Sequence, residues 1–139
     1  MSELVRLSIS LEKPLMRQLE RLVKKSSYAN RSEFVRDMIR QRLVEEQWTD
    51  ERQEVVGTIT MVYDHHARQL SDKLIDIQHD YHDRVMATTH VHLSHDLCAE
   101  MIMIRGRADQ IREIVNRLRQ LRGVLHAELA MSSTGEKLE

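Results

Sequence analysis

The stretch Thr89-His90-Val91-His92-Leu93-Ser94-His95-Asp96-Leu97-Cys98 decides how the chain is read. Met86 to Leu93 alternates and predicts a β-strand. Ser94 to Leu97 is short and polar and turns the chain, and Cys98 opens the next strand. Such a hairpin returns Cys98 to the side of His92. Side chains two apart on a strand share a face and sit roughly 6–7 Å apart. His90 and His92 can therefore reach one ion, with Cys98 as a third ligand and His79, at the end of a preceding helix, as a fourth. The spacing is H-x10-H-x-H-x5-C. Imidazole nitrogen and thiolate sulfur bind divalent transition metals well. Three nitrogens and a sulfur suit tetrahedral zinc, or nickel or copper in a plane, so the ligand set alone does not choose the metal.

Seven of the eight histidines lie between His65 and His95. His95 has the wrong strand parity for the set and is expected in the turn. His65, His66 and His82 are expected to be solvated or weakly metal-binding. Parity also predicts which way the ligands point. Val85, Ala87, Thr89, Val91 and Leu93 form the mostly apolar face of their strand and are expected to meet the helices. His90 and His92, with Cys98, Glu100, Ile102 and Ile104 of the next strand, are expected on the opposite face. Since that face carries two isoleucines, the metal is expected in a subunit interface. Glu100, on the Cys98 face, is a candidate to support the ligands from behind.

Outward from the hairpin, residues 54–139 read as strand, helix, strand, strand, helix, strand. The first strand runs Val55 to Tyr63. A helix with Asp64 as cap turns Leu70, Leu74 and Ile77 inward. Gly106 breaks the chain before a helix carrying Ile111, Ile114, Leu118 and Leu121, and Gly123 ends it. Val124 to Met131 is the last strand, and Ser132 to Glu139 a loose polar tail. This order is the ferredoxin-like one. Residues 48–53 read as a linker, with Trp48 packed between domains.

Residues 1–47 carry a different pattern. Val5-Arg6-Leu7-Ser8-Ile9-Ser10-Leu11 alternates without a break and predicts a strand with Arg6, Ser8 and Ser10 on its polar face. Pro14 suits the first turn of a helix bearing Leu15, Leu19 and Leu22. Asn30-Arg31-Ser32-Glu33 is a capping-box pattern opening a second helix with Val35, Met38, Ile39 and Leu43 on one stripe. A β-α-α unit of this size is too small to bury its own core. Pairing its strand with that of a second copy gives an obligate dimer and a two-stranded ribbon, which fits a DNA major groove. The free N–H groups at the start of the second helix suit phosphate.

Composition agrees with a globular chain. The length of 139 residues allows one domain or two small ones, and no apolar run approaches a membrane helix. No secretory signal is visible, and a single cysteine cannot form an intrachain disulfide; both suit the cytoplasm. The net charge of −1 divides unevenly. Residues 1–47 carry 10 Lys+Arg against 7 Asp+Glu, and residues 48–139 carry 11 against 15. The basic excess is in the β-α-α segment.

With these motifs in hand, residues 4–46 resemble a ribbon-helix-helix DNA-binding domain, and nearly the whole chain resembles the bacterial nickel-responsive regulator family, NikR. The resemblance rests on Arg6-x-Ser8-x-Ser10, on Asn30-Arg31-Ser32-Glu33 and on His79-x10-His90-x-His92-x5-Cys98. It implies an α+β chain: a ribbon-helix-helix domain, 1–47, and a ferredoxin-like (ACT-type) metal-binding and tetramerisation domain, 54–139. It implies Ni(2+), one per subunit, held by His90, His92 and Cys98 of one subunit and His79 of a second, in a dimer of dimers. Double-stranded operator DNA with palindromic half-sites would be contacted by Arg6, Ser8, Ser10, Asn30, Arg31 and Ser32. The implied function is repression of nickel-uptake genes, not enzymatic. Two departures stand out. Ser8 and Ser10 replace threonines of some members, and Asp80-Tyr81 replaces a run of histidines after His79. A ribbon-helix-helix regulator sensing an organic ligand and a metal enzyme are the other classes; no general base or nucleophile is evident for the latter.

Overall fold

A computed structural model describes residues 3–139, in two compact units, one of residues 3–43 with 137–139 and one of residues 44–136. The first unit contains helix α1, Lys13–Lys25, and the first part of helix α2, Arg31–Gln47. Pro14 sits in the first turn of α1, where its missing N–H costs nothing. The Asn30 side-chain oxygen accepts the Glu33 N–H at 2.9 Å, so Asn30 caps α2 as expected. Tyr28 packs edge-on against Phe34, with ring centroids 5.3 Å apart. Phe34 is the only buried apolar side chain among the described residues of this unit. Leu7, Ile9, Leu15, Leu22, Met38 and Ile39 are exposed. Residues 3–12 take no regular structure, although a strand was expected from Val5 to Leu11. The reason is that a strand needs another strand's N–H and C=O groups, and this unit contains no second strand among its described residues.

The second unit is a four-stranded antiparallel sheet in the order β2-β3-β1-β4. Its elements are β1 (Glu54–Asp64), α3 (Leu70–Asp80), β2 (Val85–His92), β3 (Leu97–Arg107), α4 (Ala108–Arg119) and β4 (Val124–Ser132). This is the ferredoxin-like order expected. Val55, Ile59, Met61 and Tyr63 of β1 share one face with Ile102 and Ile104 of β3, and all are buried. The core above them is Leu70, Leu74 and Ile77 of α3 with Ile111, Ile114, Val115 and Leu118 of α4. Gly57 is where the backbone passes closest under the helix. A Cβ there would lie 3.0–3.2 Å from Leu129, Trp48 and Ile111.

Four details differ from expectation. The face of β3 that meets the helices is the one carrying Cys98, Glu100, Ile102 and Ile104, while Met101 and Met103 lie exposed on the other. The ligand face is therefore the helix face, and not its opposite. The cause is β2: it is an edge strand lying beyond the helices, exposed on both faces, so its alternation reports nothing about the core. Helix α3 begins at Leu70, and the Asp64 carboxylate instead accepts the His66 N–H within the preceding loop. Gly106 stays in β3, opposite Val55, and the chain turns only after Arg107. Trp48 is buried in the core of the second unit, its indole N–H donating to the Ser132 carbonyl at 2.8 Å and the Arg112 guanidinium 5.5 Å from its ring.

Trp48→Ala removes that hydrogen bond and opens a cavity against Gly57. The expected cost is about 3–5 kcal/mol of unfolding free energy, read as a fall in urea midpoint by circular dichroism.

Candidate metal centre

The site follows from strand register. His92 pairs with Cys98 and His90 with Glu100 across β2 and β3, and Cys98 pairs with Tyr63 across β3 and β1. Directly opposed residues point to the same face. The Cys98 sulfur lies 3.2 Å from His92 Nδ1 and is fully buried. The two rings of His90-x-His92 have centroids 5.2 Å apart, as neighbours on one strand face should. His90 Nδ1 is 3.4 Å from the Tyr63 hydroxyl. Burial, with the charge of Glu100 and then of Cys98, pushes the Tyr63 phenol up to about 12. It therefore keeps its proton and can donate to His90. Glu100 is itself buried and accepts the side-chain amide of Gln78 at 2.9 Å, which ties α3 to the strand pair beside His90.

The third donor beside Cys98 is one the sequence reading set aside. His65 Nδ1 lies 3.6 Å from the Cys98 sulfur, and the donor atoms of His65, His92 and Cys98 all fall within 4.8 Å of one another. The backbone puts it there. The Asp64 N–H donates to the Gly123 carbonyl at 2.9 Å, and the His65 N–H to the Asp96 carbonyl at 3.1 Å. Gly123 has φ +101°, and a Cβ there would sit 2.4 Å from Ala67, so this close approach of the two loops requires glycine. A signal for His65 existed: it continues the odd positions of β1, and Tyr63 already pairs with Cys98.

His79 stands apart from this group. It is exposed in the last turn of α3 and lines a shallow hollow with Ile75, His82, Met86 and Thr88. That end of α3 is held by Arg117, which donates to the Tyr81 hydroxyl at 3.0 Å and pairs with Asp80 at 3.2 Å. The face of His90, His92 and Cys98 and helix α3 are thus on the same side of the sheet, where strand parity predicted that face to be turned away from the helices. His66 and His95 gather separately around Asp96. In the first unit, Arg6, Ser8 and Ser10 are exposed in the irregular segment, and Asn30, Arg31 and Ser32 are exposed at the start of α2.

The residues fit a divalent transition metal. Adjacent ligands at bond lengths of ~2.0–2.3 Å lie about 3 Å apart, close to the sulfur–nitrogen separations found around Cys98. Imidazole and thiolate select nickel, copper or zinc over hard cations such as magnesium.

Comparison with known proteins also points to a metal. Residues 56–132 match the family described as NikR C terminal nickel binding domain, and residues 5–46 match ribbon-helix-helix proteins of the copG family. A protein of Syntrophus aciditrophicus (strain SB) with the name "Putative nickel-responsive regulator" is 46% identical over 98% of this chain and 98% of its own length. A protein of the same name from Geobacter sulfurreducens is 44% identical over 99% of each chain. The uncharacterized protein TM1266 from Thermotoga maritima shares the fold, with a TM-score of 0.52 at 11% identity, over 57% of this chain and 98% of its own. The chain is thus a two-part regulator with a ribbon-helix-helix unit and a metal-binding unit, not an enzyme. It belongs to the nickel-responsive regulator family.

Cys98→Ala removes the one thiolate donor and shortens a buried core side chain by a single sulfur atom. Tight nickel binding by equilibrium titration is expected to vanish, while circular dichroism stays that of the folded protein.

Proposed function

We propose that this chain is a nickel-dependent DNA-binding repressor of nickel-uptake genes, acting in the cytoplasm as a dimer of dimers. The observation that carries the reading is the His92–Cys98 pair, 3.2 Å apart, with His90 on the same strand face, in a chain that opens with a ribbon-helix-helix unit. His90, His92 and Cys98 of one subunit and His79 of a second would hold one nickel ion per subunit, with Glu100 and Tyr63 steadying His90 from behind. When bound, the ion supplies a cross-link between subunits. Strand β2 is an uncovered edge, so a second subunit can approach His90 and His92. Val91, Met101 and Met103 leave an apolar stripe on the open sheet face, which supports packing against another copy. No helix among the described residues is long and apolar enough to cross a membrane.

The first unit would act on DNA. Its exposed apolar residues support burial against a second copy, which pairs the two Val5–Leu11 segments into a ribbon. Arg6, Ser8 and Ser10 would then face base edges of palindromic half-sites, while Asn30, Arg31 and Ser32 present the start of α2 to phosphate. Regulation is linkage: an arrangement of subunits that favours both operator and nickel makes each ligand raise affinity for the other by the same factor. Arg6→Ala is expected to weaken operator binding by about 1–3 kcal/mol in a gel-shift titration, with less effect on random DNA. Equal losses on both would reduce Arg6 to a phosphate contact.

A second reading keeps the ligands local. His65 stands where a local donor would, within reach of Cys98 and His92. The two readings separate in His79→Ala, which keeps tight nickel if His65 is the fourth ligand and loses it if His79 is; in the second case it is mixed with Cys98→Ala chains, which lose tight nickel under either reading. If His79 acts across subunits, co-refolded hybrids regain roughly a quarter of their sites, one half times one half, since a site needs its full ligand set. No recovery, in hybrids confirmed by mass spectrometry, assigns the fourth ligand to the same chain.

A further inference from the structure

Helix α3 carries His79 in its last turn, beyond the reach of its apolar anchors. Its buried side chains are Leu70, Leu74 and Ile77, so that anchorage ends two residues before His79. A helix of 11 residues is marginal without tertiary contacts. No glycine closes it, since the C-cap is Tyr81. Asp80 sits at the negative end of the helix dipole, where a carboxylate is unfavourable.

Side chains on both sides of His79 supply what the core does not. Gln78 donates to Glu100 of β3 at 2.9 Å. Asp80 and Tyr81 both meet one residue of α4. Arg117 pairs with Asp80 at 3.2 Å, donates to the Tyr81 hydroxyl at 3.0 Å and lies 5.3 Å from the centre of the Tyr81 ring. The Tyr81 hydroxyl in turn donates to Glu113 at 3.4 Å. Helix α4 is itself firmly seated, with Ile111, Ile114, Val115 and Leu118 buried, so Arg117 is a fixed point. A lone exposed ion pair adds little. Here one planar guanidinium engages two consecutive residues, through charge, hydrogen bond and ring face, and offsets the dipole at the helix end.

We propose, on the reading of His79 as the fourth ligand, that Arg117 is a positioning residue for nickel. It fixes the turn that presents His79, so the imidazole is held before an ion arrives and less freedom is lost on binding. Arg117 cannot itself bind the ion, because its guanidinium stays protonated. Its effect is the same whether His79 serves its own chain or a second one.

The test combines metal-free exchange with a double-mutant cycle on the full-length protein. In hydrogen–deuterium exchange without metal, Arg117→Ala should lose protection over residues 78–84, while β1 and β3 keep theirs. In nickel titrations, Arg117→Ala should bind about tenfold or more weakly than wild type, the usual cost of losing a supporting group. In the His79→Ala background the same change should alter nickel affinity less than about twofold, since no imidazole is left to position. A purely structural role would lower affinity in both backgrounds. Asp80→Asn, which keeps the size and loses the charge, takes the place of Arg117→Ala should circular dichroism show that chain unfolded. Tight nickel kept by His79→Ala overturns the reading of His79 as a ligand and the role of Arg117 with it. Where His79→Ala loses tight nickel, the role of Arg117 alone is overturned by unchanged affinity in Arg117→Ala, by unchanged protection over 78–84, or by equal losses in both backgrounds.

Discussion

The antiparallel register of β2 on β3 is the constraint on which the second unit depends. It sets His92 opposite Cys98 and His90 opposite Glu100. A slip of one residue would turn both histidines to the opposite face and leave Cys98 with no histidine opposite it. The same register continues into β1, where Tyr63 lies opposite Cys98 and Met61 opposite Glu100. The residues that fill the core and those that gather a metal are alternate ends of one ladder. Stability of the sheet and pre-organisation of the donors therefore come from the same hydrogen bonds.

The helices add an asymmetry. They cover β1 and β3 and stop short of β2, so Cys98 is fully buried while His90 and His92 are exposed. A sulfur shielded from solvent and imidazoles open to it make a site assembled from inside and completed from outside. The buried Glu100, bonded to Gln78, carries α3 into this arrangement: the residue next to Gln78 is His79. The first unit follows another economy. It leaves its apolar residues exposed in the single chain, which is what a unit of about 45 residues must do unless a second copy covers it.

Much of this was legible in the residues. Element order in the second unit, the hairpin, and the opposition of His92 and Cys98 follow from alternation and a four-residue polar turn. The cap at Asn30 follows from its spacing to Glu33. The direction of the ligand face did not follow, for a definite reason. Strand β3 has apolar residues on both sides, Ile102 and Ile104 on one and Met101 and Met103 on the other, so its own pattern was neutral. The decision then fell to β2, an edge strand whose Val91, like Leu93 just beyond its end, is exposed in spite of its hydrophobicity. Strand β1 would have been the better guide, because Tyr63, Met61 and Ile59 are its buried side and lead directly to His65. Helix α3 starts later than Asp64 suggested because the aspartate is used inside the loop, where it orders the backbone that presents His65 and His66.

The burial of Trp48 has an optical consequence. It is the only tryptophan in the chain, it is almost wholly enclosed between Gly57 and Arg112, and it lies within the second unit. Indole emission from this protein therefore reports one unit and is blind to the other, whose aromatic groups are Tyr28 and Phe34. A solvent-induced red shift marks the opening of the ferredoxin-like unit alone, and far-ultraviolet dichroism lost before that shift belongs to the ribbon-helix-helix helices. The chain carries its own means of following its two halves separately, with no label added.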